Sequence, residues 1–192
     1  MIVSNMSIIM DTSAQLSRRI SAERSRRGWS LQDLADRSGV SRGMLSKIER
    51  EEASPTASVL VRIAAAFGLT LAELLTDHGE HAGRLRRAAD QETWVDPLTR
   101  YRRRQIYLSA HLPLELVEVE LPAGAKVAMA ASVYALIRQV VWVIAGRLTV
   151  VEGDGCSRLE AGDRLEFAAP SDSVFENESS EPCRYLVAVL RR

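Results

Sequence analysis

Two hydrophobic periods divide this chain. From about Asp11 to Thr76 the apolar positions recur every third or fourth residue, the spacing of one helix face. Leu16, Ile20 and Arg24 open the pattern, and Gly28 closes it as a C-cap able to adopt a left-handed conformation. Ser30 then caps "LQDLADRSG", with Asp33 placed three residues on to answer it. Gly39 breaks the chain and Ser41 caps the next helix, which runs to about Glu51. Pro55 and Thr56 open a fourth helix that ends at Gly68, and Thr70 caps a short fifth, "LAELL". The pattern predicts a compact domain of five short helices.

From about Tyr101 the period becomes two. In "LVEVEL", Val117, Val119 and Leu121 alternate with Glu118 and Glu120, which makes one dry face and one wet one. Turn signals follow at short intervals: "PAG", Gly146, "GDG", "EAGD", "APSD" and "NESSEP". Short strands at that rhythm predict a sandwich or barrel. Between the two patterns, "HGEHAGRLRRAADQE" is polar and arginine-bearing and reads as a linker or frayed helix. The expected organisation is a multidomain α + β chain. It comprises an unstructured lead-in at 1–10, a helical domain at 11–77, a linker at 78–100 and a β-barrel domain at 101–192.

Composition changes this picture in three places. The 192 residues carry 25 basic and 25 acidic side chains, yet residues 1–76 hold 10 basic against 8 acidic and residues 106–192 hold 8 against 12. The helical end is therefore mildly basic, which permits contact with nucleic acid. Cys156 and Cys183 stand far apart without a CxxC, which argues against a disulfide scaffold or a structural zinc site. The longest apolar run, Val140–Ala145, is too short to span a bilayer. "MIVSNMSIIM" lacks a basic n-region and a cleavage site, so it reads as a lead-in or as an upstream start before Met6 or Met10. A soluble cytoplasmic protein with no membrane partner is expected.

The chemistry concentrates in the second and third helices. Two helices crossing steeply over a short turn need a small residue where the backbones meet, a glycine in the turn and an apolar plug below. Ala35, Gly39 and Leu45 supply them, with Leu34, Val40 and Ile48 as further core. That leaves Arg42, Gly43, Met44, Ser46 and Lys47 on or beside the outer face.

Residues 16–76 resemble the helix-turn-helix domain of the XRE family of phage-repressor-like regulators. The shared residues are Leu16, Ile20, Arg24 and Gly28, then "SLQDLADRSGVSRGMLSKIERE", "SPT" and "RIAAAFGLTLAELL". The resemblance implies that the helix starting at Ser41 enters the major groove of double-stranded DNA. Arg42 can fork onto guanine O6 and N7, Met44 can pack on a thymine methyl, and Ser46 is short and adaptable. Lys47 is expected on phosphate, Gly43 permits close approach, and Gln32 is expected to grip backbone phosphate and brace the reading helix. Arg24 is expected to pair with Glu49 and clip the first helix to the third. Arg18, Arg19, Arg26 and Arg27 read as a solvated face, and Trp29 as a partly buried wedge. One such module covers few base pairs, so a homodimer on paired half-sites is expected, joined through the C-terminal domain.

Residues 106–190 resemble a cupin, a jelly-roll barrel of the double-stranded β-helix type, on "VVWVIAGRLTVVEGDG" and "RLEAGDRLEFAAPSDSVFENESSEPCRYLVAVL". The family's metal-binding positions fall on or near Ser132, Tyr134, Gln139 and Ser173, and no histidine lies beyond His111. Neutral Ser, Tyr and Gln are poor ligands for a transition metal. No metal, no cofactor and no catalytic residue is therefore expected. Tyr134, Gln139 and Ser173 are candidates for holding a small-molecule effector; the alternative is a barrel that only dimerises. A third possibility, a cupin-type enzyme, lacks an acid or base at these positions. Trp142 is expected in the core. A barrel filled by Trp142, Met129, Leu136 and Phe175 would leave no room for an effector. His78 and His81 read as solvated, as do Arg102, Arg103 and Arg104.

Overall fold

The computed structural model describes residues 3–75, 85–109, 112–135 and 137–191, with side chains from Ala14 onward. The chain divides into two compact units, Met1–Asp77 and His78–Arg192. His78, His81 and Leu136 lie outside the described residues.

The first unit holds α1 (Val3–Arg26), α2 (Leu31–Ser38), α3 (Arg42–Glu49), α4 (Ala57–Phe67) and α5 (Leu71–Leu75). Helix α1 begins at Val3, where a lead-in through residue 10 is expected from the sequence. No glycine or proline precedes Gly28, so nothing in the backbone chemistry stops the helix from running on toward the N-terminus. The later boundaries are made by local chemistry. Ser30 and Asp33 form a reciprocal capping box, and Thr70 with Glu73 forms a second. Gly39 and Gly68 close α2 and α4 with φ of 66° and 71°, the left-handed region. The core of the unit is apolar and buried, with Ile20, Leu34, Leu45, Ile48, Leu60 and Ile63 closed to solvent.

The second unit is built from antiparallel strands: β1 (Thr93–Val95), β2 (Arg102–Leu108), β3 (Leu114–Leu121), β4 (Lys126–Met129), β5 (Ile137–Ala145), β6 (Arg147–Glu152), β7 (Gly155–Glu160), β8 (Arg164–Glu166), β9 (Ser173–Glu176) and β10 (Cys183–Arg191). They form a six-stranded sheet in the order β1-β2-β3-β10-β5-β8 and a four-stranded sheet in the order β4-β9-β6-β7. This two-sheet arrangement is the jelly-roll barrel of the cupin fold.

Strand β1 corrects the expected linker. Thr93 pairs with Arg104 and Val95 with Arg102, so the sheet begins ahead of Tyr101. Asp96 Oδ1 accepts from the backbone N–H of Leu98 and Thr99 at 2.9 and 2.8 Å, turning the chain from β1 into β2. A three-residue strand is too short for its period to show in sequence.

Between the sheets a run of rings fills the interior. Tyr134 meets Phe167 at 5.6 Å between centroids, Phe167 stacks on Phe175 at 5.7 Å, and Phe175 on Tyr185 at 6.0 Å. Trp142 is not among them. Val141 and Val143 turn inward from β5, and Trp142, on the other parity, is 49% exposed. Its indole N–H donates to the Gly162 carbonyl at 3.2 Å. Asn177 is fully buried and its amide donates to the carbonyls of Leu121, Pro122 and Glu181, which ties the start of β10 to the end of β3.

Candidate nucleic-acid interface

Helix α3 is held from beneath. Leu45 and Ile48 are buried, and Glu49 takes a two-pronged bond from Arg24: Nε to Oε1 at 2.7 Å and Nη2 to Oε2 at 2.8 Å. Arg24 Nη1 also donates to the Trp29 carbonyl at 2.8 Å. The Glu49 hydrogen bond, outweighing burial, raises the Arg24 pKa further. This pair joins α1 to α3 with the geometry that makes guanidinium–carboxylate contacts strong. Trp29 is wedged against Phe67 at 5.8 Å and carries the Arg37 guanidinium over its face at 4.5 Å.

The upper face of α3 is open. Ser41, Arg42, Gly43, Met44 and Lys47 are exposed, while Ser46 is half-buried. Met44 is 40% exposed, a large apolar side chain with nothing of its own domain over it. Ser41 accepts the Met44 N–H at 3.2 Å, which leaves its hydroxyl proton for an outside acceptor. Gln32 is exposed at the start of α2, where its amide donates to Asp36 Oδ1 at 2.7 Å. The expected interface residues therefore lie on α3 and on the leading turn of α2.

Two features were not legible in the residue pattern. Arg62, on α4, donates from Nη1 to the Gly39 carbonyl at 3.1 Å, so it places a cation beside the turn between α2 and α3. Arg19 and Arg27 are part-buried, not a solvated face. With Arg26 they converge on the buried carboxylate of Glu23, and Arg27 also lies over the Phe67 ring at 4.9 Å. Burial pushes the Glu23 pKa up, but the bonds from Arg26 and Arg27 and the charge of Arg19 outweigh it and leave the carboxyl below its ordinary value.

In the barrel, Tyr134 and Ser173 are buried and their hydroxyls are hydrogen-bonded to each other. Burial pushes the Tyr134 phenol up to about 12, so it stays protonated and neutral. Gln139 is 8% exposed, and its side-chain amide lies against the Tyr134 hydroxyl, although Nε2 closes no hydrogen bond of good geometry. Two hydroxyls already satisfied by each other and one amide do not make a divalent-cation site. Among the described residues no cluster of three His, Cys, Asp or Glu could hold a metal ion. The hollow lined by Tyr134, Gln139, Glu152 and Phe167 has about 10 Å³ of free space, on the order of one water molecule. Deeper in, Arg103 is buried and donates from Nη1 to Gln105 Oε1 at 3.0 Å; burial lowers its pKa, which Tyr101 and Glu115 partly oppose.

A capped α2, a glycine turn, and an α3 buried below and bare above define a helix-turn-helix domain, and residues 20–74 match the family described as HTH_3, helix-turn-helix. The chain thus joins a helix-turn-helix domain, matched over residues 20–74, to a two-sheet antiparallel barrel of cupin-like fold. It is similar to the HTH-type transcriptional regulator SutR of Escherichia coli (strain K12), with 26% identity over 170 residues, 88% of this chain and 91% of that protein. The crystal structure of an HTH_3 family transcriptional regulator from Vibrio cholerae shares the fold, with a TM-score of 0.80 at 19% identity over 95% of this chain and 98% of that one. The cupin_2 domain of an XRE family transcriptional regulator from Enterobacter cloacae is a looser match, with a TM-score of 0.45 at 17% identity over 48% of this chain and 97% of that one. Among the described residues no helix is long and apolar enough to cross a membrane.

Proposed function

We propose that this chain is a sequence-specific DNA-binding transcriptional regulator that acts as a homodimer, with its cupin domain serving to pair the subunits and not to catalyse. The observation that carries the reading is the face of α3, where Arg42, Gly43, Met44 and Lys47 stand clear on a helix braced by Arg24–Glu49. Arg42 reads a guanine edge, Met44 a thymine methyl and Lys47 a phosphate; Gln32, Ser41 and Ser46 hold register on the flanking backbone. Similarity to regulators over most of the chain supports the same reading.

Selection from random duplex DNA, followed by fluorescence anisotropy against salt, tests it. Arg42→Ala should cost about 1–3 kcal/mol and relax preference at one position, whereas Lys47→Ala should weaken all sequences alike and reduce the salt slope by about one. Specific binding unchanged in both variants would remove α3 from the groove.

A second reading, effector sensing in the barrel, is favoured by one observation: the buried Gln139 closes no well-formed hydrogen bond through Nε2 and has only the Tyr134 hydroxyl beside it. Such a group costs stability unless something answers it. With room for about one water, an effector would have to displace the Tyr134–Phe167 pair. Native mass spectrometry set against the denatured mass tests this, and releasable mass of metabolite size is the expected result for a sensor.

A further inference from the structure

On the outer face of the six-stranded sheet, β5 and β10 carry an apolar patch bordered by charged side chains, Arg138 and Arg184 on the same two strands and Glu118 and Arg164 on their neighbours. On β5, Val140, Trp142 and Ile144 point away from the barrel; on β10, Leu186, Ala188 and Leu190 do the same. Trp142, Leu190 and Ile144 are 49%, 50% and 36% exposed, and the two strands are hydrogen-bonded neighbours, so these side chains form one contiguous patch. A patch of that kind marks an interaction surface.

We propose that a second copy of this chain covers this face, related by a twofold axis that crosses the strands between the Trp142 row and the Val140 row. The proposal rests on the homodimer reading above and names the surface that makes the dimer. Pairing register decides the geometry. Leu186 lies beside Trp142, with Arg164 on the far side at the sheet edge; Ala188 lies beside Val140, with Glu166 on the far side. A twofold between the rows exchanges them when two sheets stack face to face. Trp142 then meets the partner's Val140, and Leu186 meets the partner's Ala188, large against small in both cases. Arg164 meets the partner's Glu166, and by symmetry the pair forms twice. Both β8 side chains are exposed, and neither has an ion pair within its own chain among the described residues. A twofold running along β10 would instead bring β2 over β8. That sets Arg104, which already holds Glu118, against the partner's Arg164, cation to cation. Charge and size therefore select the first arrangement and a second copy as the occupant.

The test is the mass of the full chain by light scattering across a dilution series, with circular dichroism as the check on folding. Wild type should be a dimer and Trp142→Glu a folded monomer. Arg164→Glu should raise the dimer dissociation constant at least about tenfold, because it places like charges against each other twice. The double swap Arg164→Glu with Glu166→Arg should return it to within about threefold of wild type, a rescue that general loss of stability cannot produce. A dimer indifferent to Trp142→Glu and to the single swap would overturn this face while leaving the dimer reading standing. A wild-type monomer would overturn both.

Discussion

Gly43 is the residue where the demands of stability and of DNA approach separate most cleanly. A Cβ added there meets nothing within 4 Å, and its backbone is not in the left-handed region, so the fold has no need of a glycine. Within a helix, alanine is preferred over glycine by about 0.8–1 kcal/mol. Gly43→Ala should therefore raise the thermal midpoint by a few degrees while weakening operator affinity, because the new methyl stands on the face proposed to meet the groove. Thermal denaturation and anisotropy on the same sample check both halves; parallel gains would mean the face is not in contact. Glu23 provides the pH counterpart. Its folded pKa lies below the ordinary value, so its contribution is present above the ordinary carboxylate range and is lost as pH falls through the folded pKa. Glu23→Gln should flatten the acid limb of the stability profile, measured by urea midpoints at successive pH values. At this scale Ser30, Ser41 and Thr70 could be read as caps from sequence, because a cap acts over three residues. The i,i+4 spacing of Arg19 and Arg27 about Glu23 is local too, but the burial that makes these pairs more than a solvated face comes only with the packing of α1, where Arg27 reaches the Phe67 carbonyl.

At the scale of elements, the ends of α3 and β5 are the informative places. Helix α3 ends with Glu51 at φ 63°, a left-handed conformation held without glycine, while the Glu52 N–H donates to the Lys47 carbonyl at 2.8 Å. Glu51→Gly should stabilise the domain by about 1 kcal/mol, read as a rise in thermal midpoint. Gly146, between β5 and β6, is the opposite case. At φ 82°, an added Cβ would lie 2.8 Å from the Pro182 carbonyl oxygen and 3.0 Å from Cys183 Cα, both backbone atoms. Gly146→Ala should cost several kcal/mol or prevent the barrel from closing. Removing the clip between α1 and α3 with Glu49→Gln should cost about 2 kcal/mol and, by loosening α3, weaken DNA binding as well. The Arg24–Glu49 clip was legible through resemblance and is present in the structure. Strand β1 was not legible, because three residues show no period.

For the whole molecule, the consequence of pairing is avidity. In the proposed dimer, two α3 helices would bind two half-sites with an effective concentration that a monomer lacks, a gain on the order of 10²–10⁴. A folded monomer made by Trp142→Glu should lose about that factor on a two-half-site operator and keep its affinity for a single half-site. Equal losses on both would mean that the substitution acts on the helical domain.

The sequence by itself determined the helical domain, its turn and the composition of the reading face, because caps, glycine turns and helical periods are written within a few residues of where they act. It also determined that the barrel positions Tyr134, Gln139 and Ser173 carry neutral donors. What lies inside the barrel was decided only by tertiary structure. Residues 139–145 read Gln-Val-Val-Trp-Val-Ile-Ala, and in an almost continuous apolar run alternation cannot say which parity faces inward. The pairing of β5 with β10 and β8 made that choice: it sent Val141 and Val143 into the core, left the filling of the interior to Phe167, Phe175 and Tyr185, and turned Trp142 outward onto the face where a partner can cover it. Where polar residues alternate, as in β3, the pattern along one strand fixes the parity; where both faces are apolar, as in β5, only the packing of the sheet decides it.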